Sequence, residues 1–413
     1  MRSISSEIIV LPNGVQALWI PARSKLVHVC VVIRAGVLYE DSLQLGISHF
    51  LEHMLFKGTQ KRNVYRILSL IERVGGDLNA YTTREKLCLH ATIPKPYLRQ
   101  TVDLLADIVQ NSTFPEYEIE REKTVIHEEI DLYQDNPDEQ VFEDFDKLVF
   151  PSHPYGNPIL GSHETIKNFD KNILTEFSRR VLVGDNICMG IWGQVSKRTF
   201  EKLAQDYFSA IASGQPLQPV LPIEVSTSKT TTRAKQTTKY QQTYCIIGKQ
   251  SYELGHAKNY GFAALNNYLC GGFMFAKIPY EIREKRGLCY SIQGFYTPYL
   301  LSGIWGIMFS CEPQKQEKIM VLVRKLLLKV RENGLSAWKC NEIKKQFHGS
   351  LLLGMDSGLH YLTTSCKEVL DTGKPIIFEE IIREINQIQP VLFNEIAQEM
   401  FDDDYFVQLN LPE

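Results

Sequence analysis

Apolar, β-rich runs separated by turn residues begin the chain, and they predict strands. The segment SEIIVLPNGVQALWIPA contains two such runs around Pro12-Asn13-Gly14, a turn signal that predicts a β-hairpin. A further strand is predicted over residues 27–33, and LNAYTTREKLCLHATI predicts two strands in succession. The first part of the chain therefore contributes several strands to a sheet.

Helical spacing of apolar residues predicts four helices among and after these strands. Gly58 and Gly75-Gly76 would end the first two helices. Asn136-Pro137 lies just beyond the last one, because the residue before a proline disfavours the helical conformation. The four predicted helices cover residues 46–57, 65–74, 97–110 and 116–134.

The apolar periodicity disappears near the middle of the chain. Residues 213–240 contain GQPLQP and then STSKTTTRAKQTTK, which is rich in Thr, Ser and Lys. This composition is typical of a linker, and 413 residues are enough for two domains. We therefore predict a first half over residues 1–215, a linker over 216–235 and a second half over 236–413.

The order of elements starts again after this linker. QTYCIIGKQ predicts a strand, NYGFAALNNYLCGG predicts a helix, and SAWKCNEIKKQFHGSLLLGM predicts a long helix. We interpret this order as a faint internal duplication. The predicted fold class is α+β, with two homologous halves that each contain an antiparallel-rich sheet covered by helices.

Composition and charge exclude several classes of partner. The formal net charge is -3 and the basic residues are dispersed, so we expect binding neither to nucleic acid nor to an acidic membrane surface. The nine cysteines lie singly in apolar runs, which is typical of a reducing compartment. The N-terminal apolar stretch covers only residues 8–11, too few for a signal peptide or a membrane span. We expect a cytoplasmic protein without a membrane segment.

The sharpest chemical motif is His-Phe-Leu-Glu-His over residues 49–53. Residues four apart lie one above the other on a helix, so His49 and His53 can offer their imidazoles to one metal ion. Glu52 falls within the same third of the helix circumference. Zinc lowers the pKa of a bound water to about 7, and an adjacent carboxylate can then act as a general base. The opposite face is apolar and would be buried; it comprises Ile47, Leu51, Met54 and Leu55.

The presence of a third ligand would distinguish a metal site from an ordinary solvated helix face, because catalytic zinc usually has three protein ligands. The predicted helix over 116–134 carries Glu122, Glu128 and Glu129. Glu122 and Glu129 are seven residues apart and therefore share one side of the helix. One of them can ligate the metal while the other orients a histidine. His127 is a rival, although it points elsewhere, and acidic clusters are also common on exposed helices.

Several other blocks of the sequence extend the motif into a longer pattern. Glu129 lies within an R-E-K-x-V-x-x-E-E-I context. With these blocks, the chain resembles the pitrilysin and mitochondrial processing peptidase family, the inverzincins, whose motif reverses H-E-x-x-H. The similarity spans nearly the whole chain, and the length resembles that of the short bacterial branch. The other blocks are Gly46 with residues 50–58, residues 75–82, Tyr155-Gly156-x-Pro158 with Gly161, and R-E-K-R-G-L-C-Y-S over residues 283–291.

This resemblance implies a zinc site in the first half and a fold that forms half of a clamshell chamber. The implied zinc ligands are His49, His53 and Glu129, with one zinc ion per chain. Glu52 would be the general base, and Glu122 would support the site from behind the ligands.

The resemblance also implies a substrate-binding surface. Arg286 and Tyr290 would bind the substrate backbone and the developing oxyanion, which suits their hydrogen-bond donors; on residue type alone, they are a surface arginine and a core tyrosine. An edge strand would add an extended peptide to the sheet through main-chain hydrogen bonds. That strand contains Asn79, Ala80, Tyr81 and Thr82.

Two departures from the family pattern stand out. Residues 271–278 keep two glycines and become bulky and apolar, where the family usually has a glycine-rich stretch of small residues. The second half has no H-x-x-E-H motif, and Gly349 or a neighbour stands where a counterpart of Glu129 would lie. We therefore expect the second half to have kept the framework without the metal.

The predicted function is a zinc-dependent endopeptidase that cleaves extended or unfolded peptides, such as presequence-like segments. Chains of this length in the family pair into a chamber, so we predict a homodimer in which Arg286 and Tyr290 serve the zinc site of the partner chain. A heterodimer with a related subunit is the alternative. A competing hypothesis is a non-catalytic partner or scaffold with the peptidase fold. A purely structural zinc is disfavoured, because such sites usually have four Cys or His ligands.

Overall fold

A computed structural model describes residues 6–220, 233–238 and 241–412. No helix in these ranges has the length and apolarity to cross a membrane. The strands are β1 (Glu7–Val10), β2 (Gln16–Pro21), β3 (Leu26–Arg34), β4 (Asp77–Thr82), β5 (Lys86–Pro94), β6 (Ile187–Gly193), β7 (Arg233–Thr238), β8 (Thr243–Ser251), β9 (Ser291–Pro298), β10 (Gly303–Cys311) and β11 (Phe406–Pro412). The helices are α1 (Ile47–Leu55), α2 (Val64–Glu72), α3 (Leu98–Asn111), α4 (Glu116–Asp135), α5 (Pro137–Val149), α6 (His163–Lys167), α7 (Lys171–Val181), α8 (Lys197–Phe208), α9 (Asn259–Cys270), α10 (Lys277–Pro279), α11 (Gln316–Asn333), α12 (Ala337–Met355), α13 (Gly358–Thr372), α14 (Phe378–Gln387) and α15 (Pro390–Met400).

The described residues divide into two compact units that do not follow a single cut in the sequence. Residues 132–156 of the first half belong to unit 2, and residues 353–377 of the second half belong to unit 1. Most of the predicted linker, 216–235, lies outside the described residues, and its last residues, from Arg233, already form β7. The composition of this segment gave no sign of a strand, because β7 is short and polar and gains its order from pairing with β11.

The strand order confirms the α+β class and shows the predicted duplication. Unit 1 contains a sheet in the order β1-β2-β6-β3-β5-β4, and unit 2 contains one in the order β7-β11-β8-β10-β9. β2 runs parallel to β6, as β7 does to β11. The remaining neighbours are antiparallel in both sheets. Among the strands that the structure describes, the two sheets therefore share one topology, and β1 is an addition to the first.

The sheet of unit 1 is covered on both faces, which explains the continuous apolar run in β3. Val29 and Val31 face the core that contains α1 and α3, whereas Cys30 and Val32 face the core that contains α13. Gly190 on β6 permits the close approach of α13, because a Cβ atom there would lie 2.4 Å from the Cys366 sulfur. All nine cysteines are free thiols, and eight of them are buried, as their apolar sequence context predicts.

A buried ion pair holds α13 on unit 1. Lys86 Nζ lies 2.7 Å from Asp371 Oδ1, and the two side chains are only 3% and 6% exposed. The Arg34 guanidinium also donates a hydrogen bond to the Leu370 carbonyl oxygen. Charges buried to this degree must remain paired, because desolvation strongly penalises an isolated one. The end of α13 is thereby fixed to β3 and to the start of β5.

We expect Asp371→Ala to lower the free energy of unfolding by about 3–5 kcal/mol, because it leaves the Lys86 ammonium buried without its counter-charge. Urea unfolding followed by tryptophan fluorescence measures the change. Breaking the exposed Lys339–Glu342 pair on α12 is the matched control and should have little effect. A similar small effect of Asp371→Ala would contradict this account of how α13 is held.

Candidate metal centre

The N-terminus of α1 is fixed by a buried carboxylate that precedes it in the chain. Glu40 accepts hydrogen bonds from the backbone N–H groups of Gly46, at 2.8 Å, and Ser48, at 2.9 Å. Burial raises the pKa of Glu40 to about 7, although these two donors favour the ionised form. Gly46 has φ +88°, and a Cβ atom there would lie 2.5 Å from the Leu160 carbonyl oxygen. This position therefore requires glycine.

One face of α1 packs into the core while the other carries the histidines. The four apolar residues that the sequence predicts to be buried have no exposed surface, Phe50 is buried with them, and His49 is 7% exposed. The rings of His49 and His53 lie 4.6 Å apart between centroids. The two imidazoles are therefore presented together from a rigid support. The buried apolar residues are Ile47, Phe50, Leu51, Met54 and Leu55.

Helix α4 brings the carboxylate of Glu129 to both histidines. Glu129 Oε2 lies 3.7 Å from His49 Nε2 and 3.6 Å from His53 Nε2. One ligand atom from each of the three residues can be chosen so that all lie within 4.8 Å of one another. Among the residues that the structure describes, no other group of His, Cys, Asp or Glu side chains meets that criterion. The three atoms form one candidate site for a metal ion.

The distances and protonation states within this cluster fit a zinc ion. Ligand atoms at tetrahedral zinc, with bonds of about 2.0–2.2 Å, lie roughly 3.4 Å from one another. The observed distances of 3.6 and 3.7 Å are close to that separation, but are too long for direct hydrogen bonds. Burial, and then the neighbouring His53, lower the pKa of His49 to about 3, so its imidazole is neutral at pH 7, as a metal ligand must be.

Glu122 occupies a different position from Glu129, as a support for one histidine. Its Oε2 lies 2.9 Å from His53 Nδ1, and its other oxygen pairs with the Lys57 ammonium. With a proton on Nδ1, His53 donates to Glu122 and turns its Nε2 lone pair toward Glu129. Burial raises the pKa of Glu122, but the hydrogen bonds from His53 and Lys57 outweigh it, and the net pKa is lowered. Glu122 therefore remains a carboxylate.

The other two candidates on α4 point away from the cluster. Glu128 is exposed, and His127 Nδ1 lies 2.8 Å from Nδ1 of His163, the first residue of α6. The helix geometry thus separates the acidic residues that spacing alone had left as alternatives.

Glu52 lies beside the histidines and is held by a residue from the sheet. The Thr82 hydroxyl donates a hydrogen bond to Glu52 Oε2. Burial raises the pKa of Glu52, while the hydrogen bond from Thr82 and the charge of His53 act in the opposite direction. A partly desolvated carboxylate of this kind is suited to accept a proton and to return it.

The strand β4 lies at the edge of the six-stranded sheet, as the resemblance implies. Its side chains alternate between the two faces. Ala80 packs toward the core that contains α1, whereas Tyr81 packs toward α13. The Ala80 N–H donates to the Asn79 side-chain oxygen at 2.8 Å. Main-chain groups of β4 therefore lie along the open edge, where the Asn79 side chain accepts a hydrogen bond from one of them.

Arg286 and Tyr290 lie in unit 2, outside the metal cluster. The Arg286 guanidinium pairs with Glu281 at 2.6 Å. Tyr290 is 88% exposed, so the alternative interpretation of it as a core tyrosine is wrong. Within the altered segment 271–278, three large side chains are exposed: Phe273, Met274 and Phe275.

Sequence reasoning missed three residues that support this centre: Glu40, Lys57 and the hydroxyl of Thr82. Each acts through a contact with another element, and none belongs to a periodic pattern. Thr82 was assigned to the edge strand by resemblance, but its bond to Glu52 depends on how β4 crosses α1.

Comparisons with known proteins identify a family and several relatives of this chain. Residues 21–163 match the family described as insulinase (peptidase family M16), and residues 168–347 match the family described as the peptidase M16 inactive domain. An uncharacterized zinc protease of Bacillus subtilis is 31% identical over 94% of this chain and 93% of its own length. Another, from Rickettsia bellii, is 30% identical over 91% of this chain and 90% of its own.

Two solved structures share the fold. A protease from Helicobacter pylori superposes with a TM-score of 0.91 at 17% identity, covering 99% of this chain and 100% of the other. A peptidase M16 inactive domain from Pseudomonas fluorescens gives a TM-score of 0.88 at 18% identity, covering 99% and 98%. These structures show that the described residues of both units adopt a known architecture.

We expect Glu129→Gln to abolish tight zinc binding, because it removes the charged ligand that α4 contributes. Glu122→Gln should weaken binding by about 10- to 100-fold, because it replaces the carboxylate that orients His53 with a neutral amide, which is a weaker acceptor. Competition with a fluorescent chelator measures the affinities, and elemental analysis gives the zinc content per chain.

Glu128→Gln is the matched control, since Glu128 is the exposed neighbour of Glu129 on the same helix. It should bind zinc as the unmodified protein does. Equal affinities for the variants at residues 128 and 129 would show that the metal is held elsewhere.

Proposed function

The chain belongs to peptidase family M16, and on this premise we propose that it is a zinc-dependent endopeptidase that cleaves extended or unfolded peptides. The observation that carries the proposal is the convergence of His49, His53 and Glu129, with the Glu52 carboxylate beside them. Their identity and spacing suit a catalytic zinc site with three protein ligands.

In this proposal, each residue of the centre has one task. When bound, zinc supplies a Lewis acid that polarises a peptide carbonyl and makes a water molecule acidic near neutral pH. Glu52 accepts a proton from the water that attacks the carbonyl carbon, and returns it to the leaving nitrogen as the peptide bond breaks. Glu122 keeps His53 in the tautomer whose Nε2 is free to bind the metal.

The substrate class follows from the edge strand. An extended peptide can add to β4 by main-chain hydrogen bonds, through the segment that contains Asn79, Ala80, Tyr81 and Thr82. Arg286 and Tyr290 supply hydrogen-bond donors for the substrate backbone and the developing oxyanion, and the high exposure of Tyr290 supports this role. Unfolded or presequence-like segments satisfy these requirements. The nine free cysteines support a reducing, cytoplasmic setting.

The competing function is that of a non-catalytic partner with the peptidase fold. All three ligands, the base and the support for His53 are present and adjacent in this chain, which favours the enzyme. A purely structural zinc is disfavoured by the composition of the cluster, two histidines and one carboxylate, which leaves a coordination position for water.

We expect Glu52→Gln to lower kcat for a quenched peptide by at least about 1,000-fold, because the amide cannot take the proton from water. Zinc content should remain at one ion per chain, which separates loss of the base from loss of the metal. A chelator should abolish the activity of the unmodified protein, and added zinc should restore it. Equal cleavage by both proteins would overturn the proposed role of Glu52, and no cleavage by either would favour the non-catalytic partner.

We further propose a homodimer in which Arg286 and Tyr290 of one chain serve the zinc site of the other. Mixing a Glu52→Gln chain with an Arg286→Ala chain tests this arrangement, because each variant retains the part that the other lacks. The mixture should cleave peptide where neither variant does alone. No recovery, in a sample where mixed dimers are confirmed by mass spectrometry, would show that the residues act within one chain or that the dimer is formed differently.

A further inference from the structure

The last residue of β4 connects the open edge of the sheet to the metal centre. The Ala80 N–H donates to the Asn79 side chain at 2.8 Å, so it points away from β5. The Thr83 N–H donates to the Lys86 carbonyl at 2.8 Å, so it points toward β5. Since the main-chain groups of successive residues point to opposite sides of a strand, those of Ala80 and Thr82 share one side and face the open edge.

The side chain of Thr82 points in a third direction, toward α1. Side chains alternate along a strand, and Tyr81 faces the core beneath α13, where the Lys367 ammonium lies 4.7 Å from its ring. Thr82 therefore faces the opposite side, where its hydroxyl donates to Glu52 Oε2. One residue thus has main-chain groups directed to the edge and a side chain bonded to Glu52.

We propose that Thr82 is a positioning residue that fixes the Glu52 carboxylate relative to the peptide-binding edge. This inference rests on the proposed function and adds a role that main-chain recognition does not require. With Oε2 engaged by Thr82, Glu52 has its second oxygen free to accept a proton. The hydrogen bond also selects one orientation of a carboxylate that can otherwise rotate about its side-chain bonds.

If Thr82 has this role, strand β4 fixes the positions of both the bound peptide and the Glu52 carboxylate. A peptide added to β4 is placed by the strand, and Glu52 is placed by a residue of the same strand. Small displacements between a reacting bond and its catalytic group are costly, because the rate depends steeply on their alignment. Loss of the hydroxyl should therefore slow the chemical step while leaving the main-chain binding surface intact.

Thr82→Val, Thr82→Ala and Thr82→Ser test the proposal against peptide cleavage. We expect Val and Ala to lower kcat by about 10- to 100-fold with KM within about twofold of the unmodified protein. Ser keeps the hydroxyl and should remain within about threefold in kcat. Thr82→Val placed in the inactive Glu52→Gln chain should leave the affinity for an uncleaved peptide unchanged, as measured by fluorescence anisotropy.

Thr92→Val is the matched control, because Thr92 lies on the adjacent strand β5 and its hydroxyl contacts His28 at 2.8 Å, away from Glu52. It should leave kcat unchanged. Zinc content and melting temperature are compared for every variant, and Thr82→Ala replaces Thr82→Val if valine perturbs the strand. Wild-type kcat in both Val and Ala variants, or weaker peptide binding as the sole effect, would overturn the positioning role. Absence of Glu52-dependent cleavage in the unmodified protein would instead overturn the proposed function.

Discussion

The candidate metal centre of unit 1 depends on holding the imidazoles of His49 and His53 and the carboxylate of Glu129 together across two helices. Burial favours the neutral form of His49 and raises the pKa of Glu129, so both of these groups are partly desolvated. Such an arrangement is unfavourable unless the surrounding structure enforces it or a cation compensates it. The buried apolar face of α1 and the hydrogen bonds that Glu40 accepts at the N-terminus of this helix hold the cluster in place. A bound zinc ion would offset the cost of burying the carboxylate.

The duplicated topology shows how fold and chemistry are separated in this chain. Apart from β1, the described strands of both sheets follow the same order, because each sheet is specified by buried apolar strands and the helices packed on them. α1 follows β3 in unit 1, and α9 follows β8 in unit 2, but α9 has no histidine and no acidic residue. Loss of the polar face leaves the apolar packing unaffected. The framework can therefore persist without the metal.

Periodicity predicted much of the fold because burial follows it directly. The helices predicted over 97–110 and 116–134 are observed as Leu98–Asn111 and Glu116–Asp135. The exchange of α5 and α13 between the halves was not predicted, since an apolar helix face fits any apolar sheet surface. Residues 132–156 and 353–377 carry ordinary helical patterns that do not indicate which sheet they cover.

The candidate site divides in the same way between what spacing predicts and what tertiary contacts decide. The pairing of His49 with His53 follows from the helix repeat. The choice of Glu129 over Glu122 depended on the resemblance, because seven-residue spacing places both on one side of α4. The crossing of α4 over α1 makes the distinction, by placing Glu129 near both Nε2 atoms and Glu122 near His53 Nδ1. No local pattern encodes that crossing.

If the chain is the peptidase proposed above, the position of β4 at a sheet edge restricts which substrates can bind. A peptide that pairs with this edge must present unpaired main-chain donors and acceptors over several residues. Strands and helices of a folded protein have already used those groups, whereas an unfolded segment has them free. Main-chain pairing does not depend on the identity of the peptide's side chains, so it favours any extended segment whatever its sequence. In the proposed function, selectivity for particular peptides would therefore come from side-chain contacts outside the strand, and pairing with the sheet edge would require an unfolded substrate.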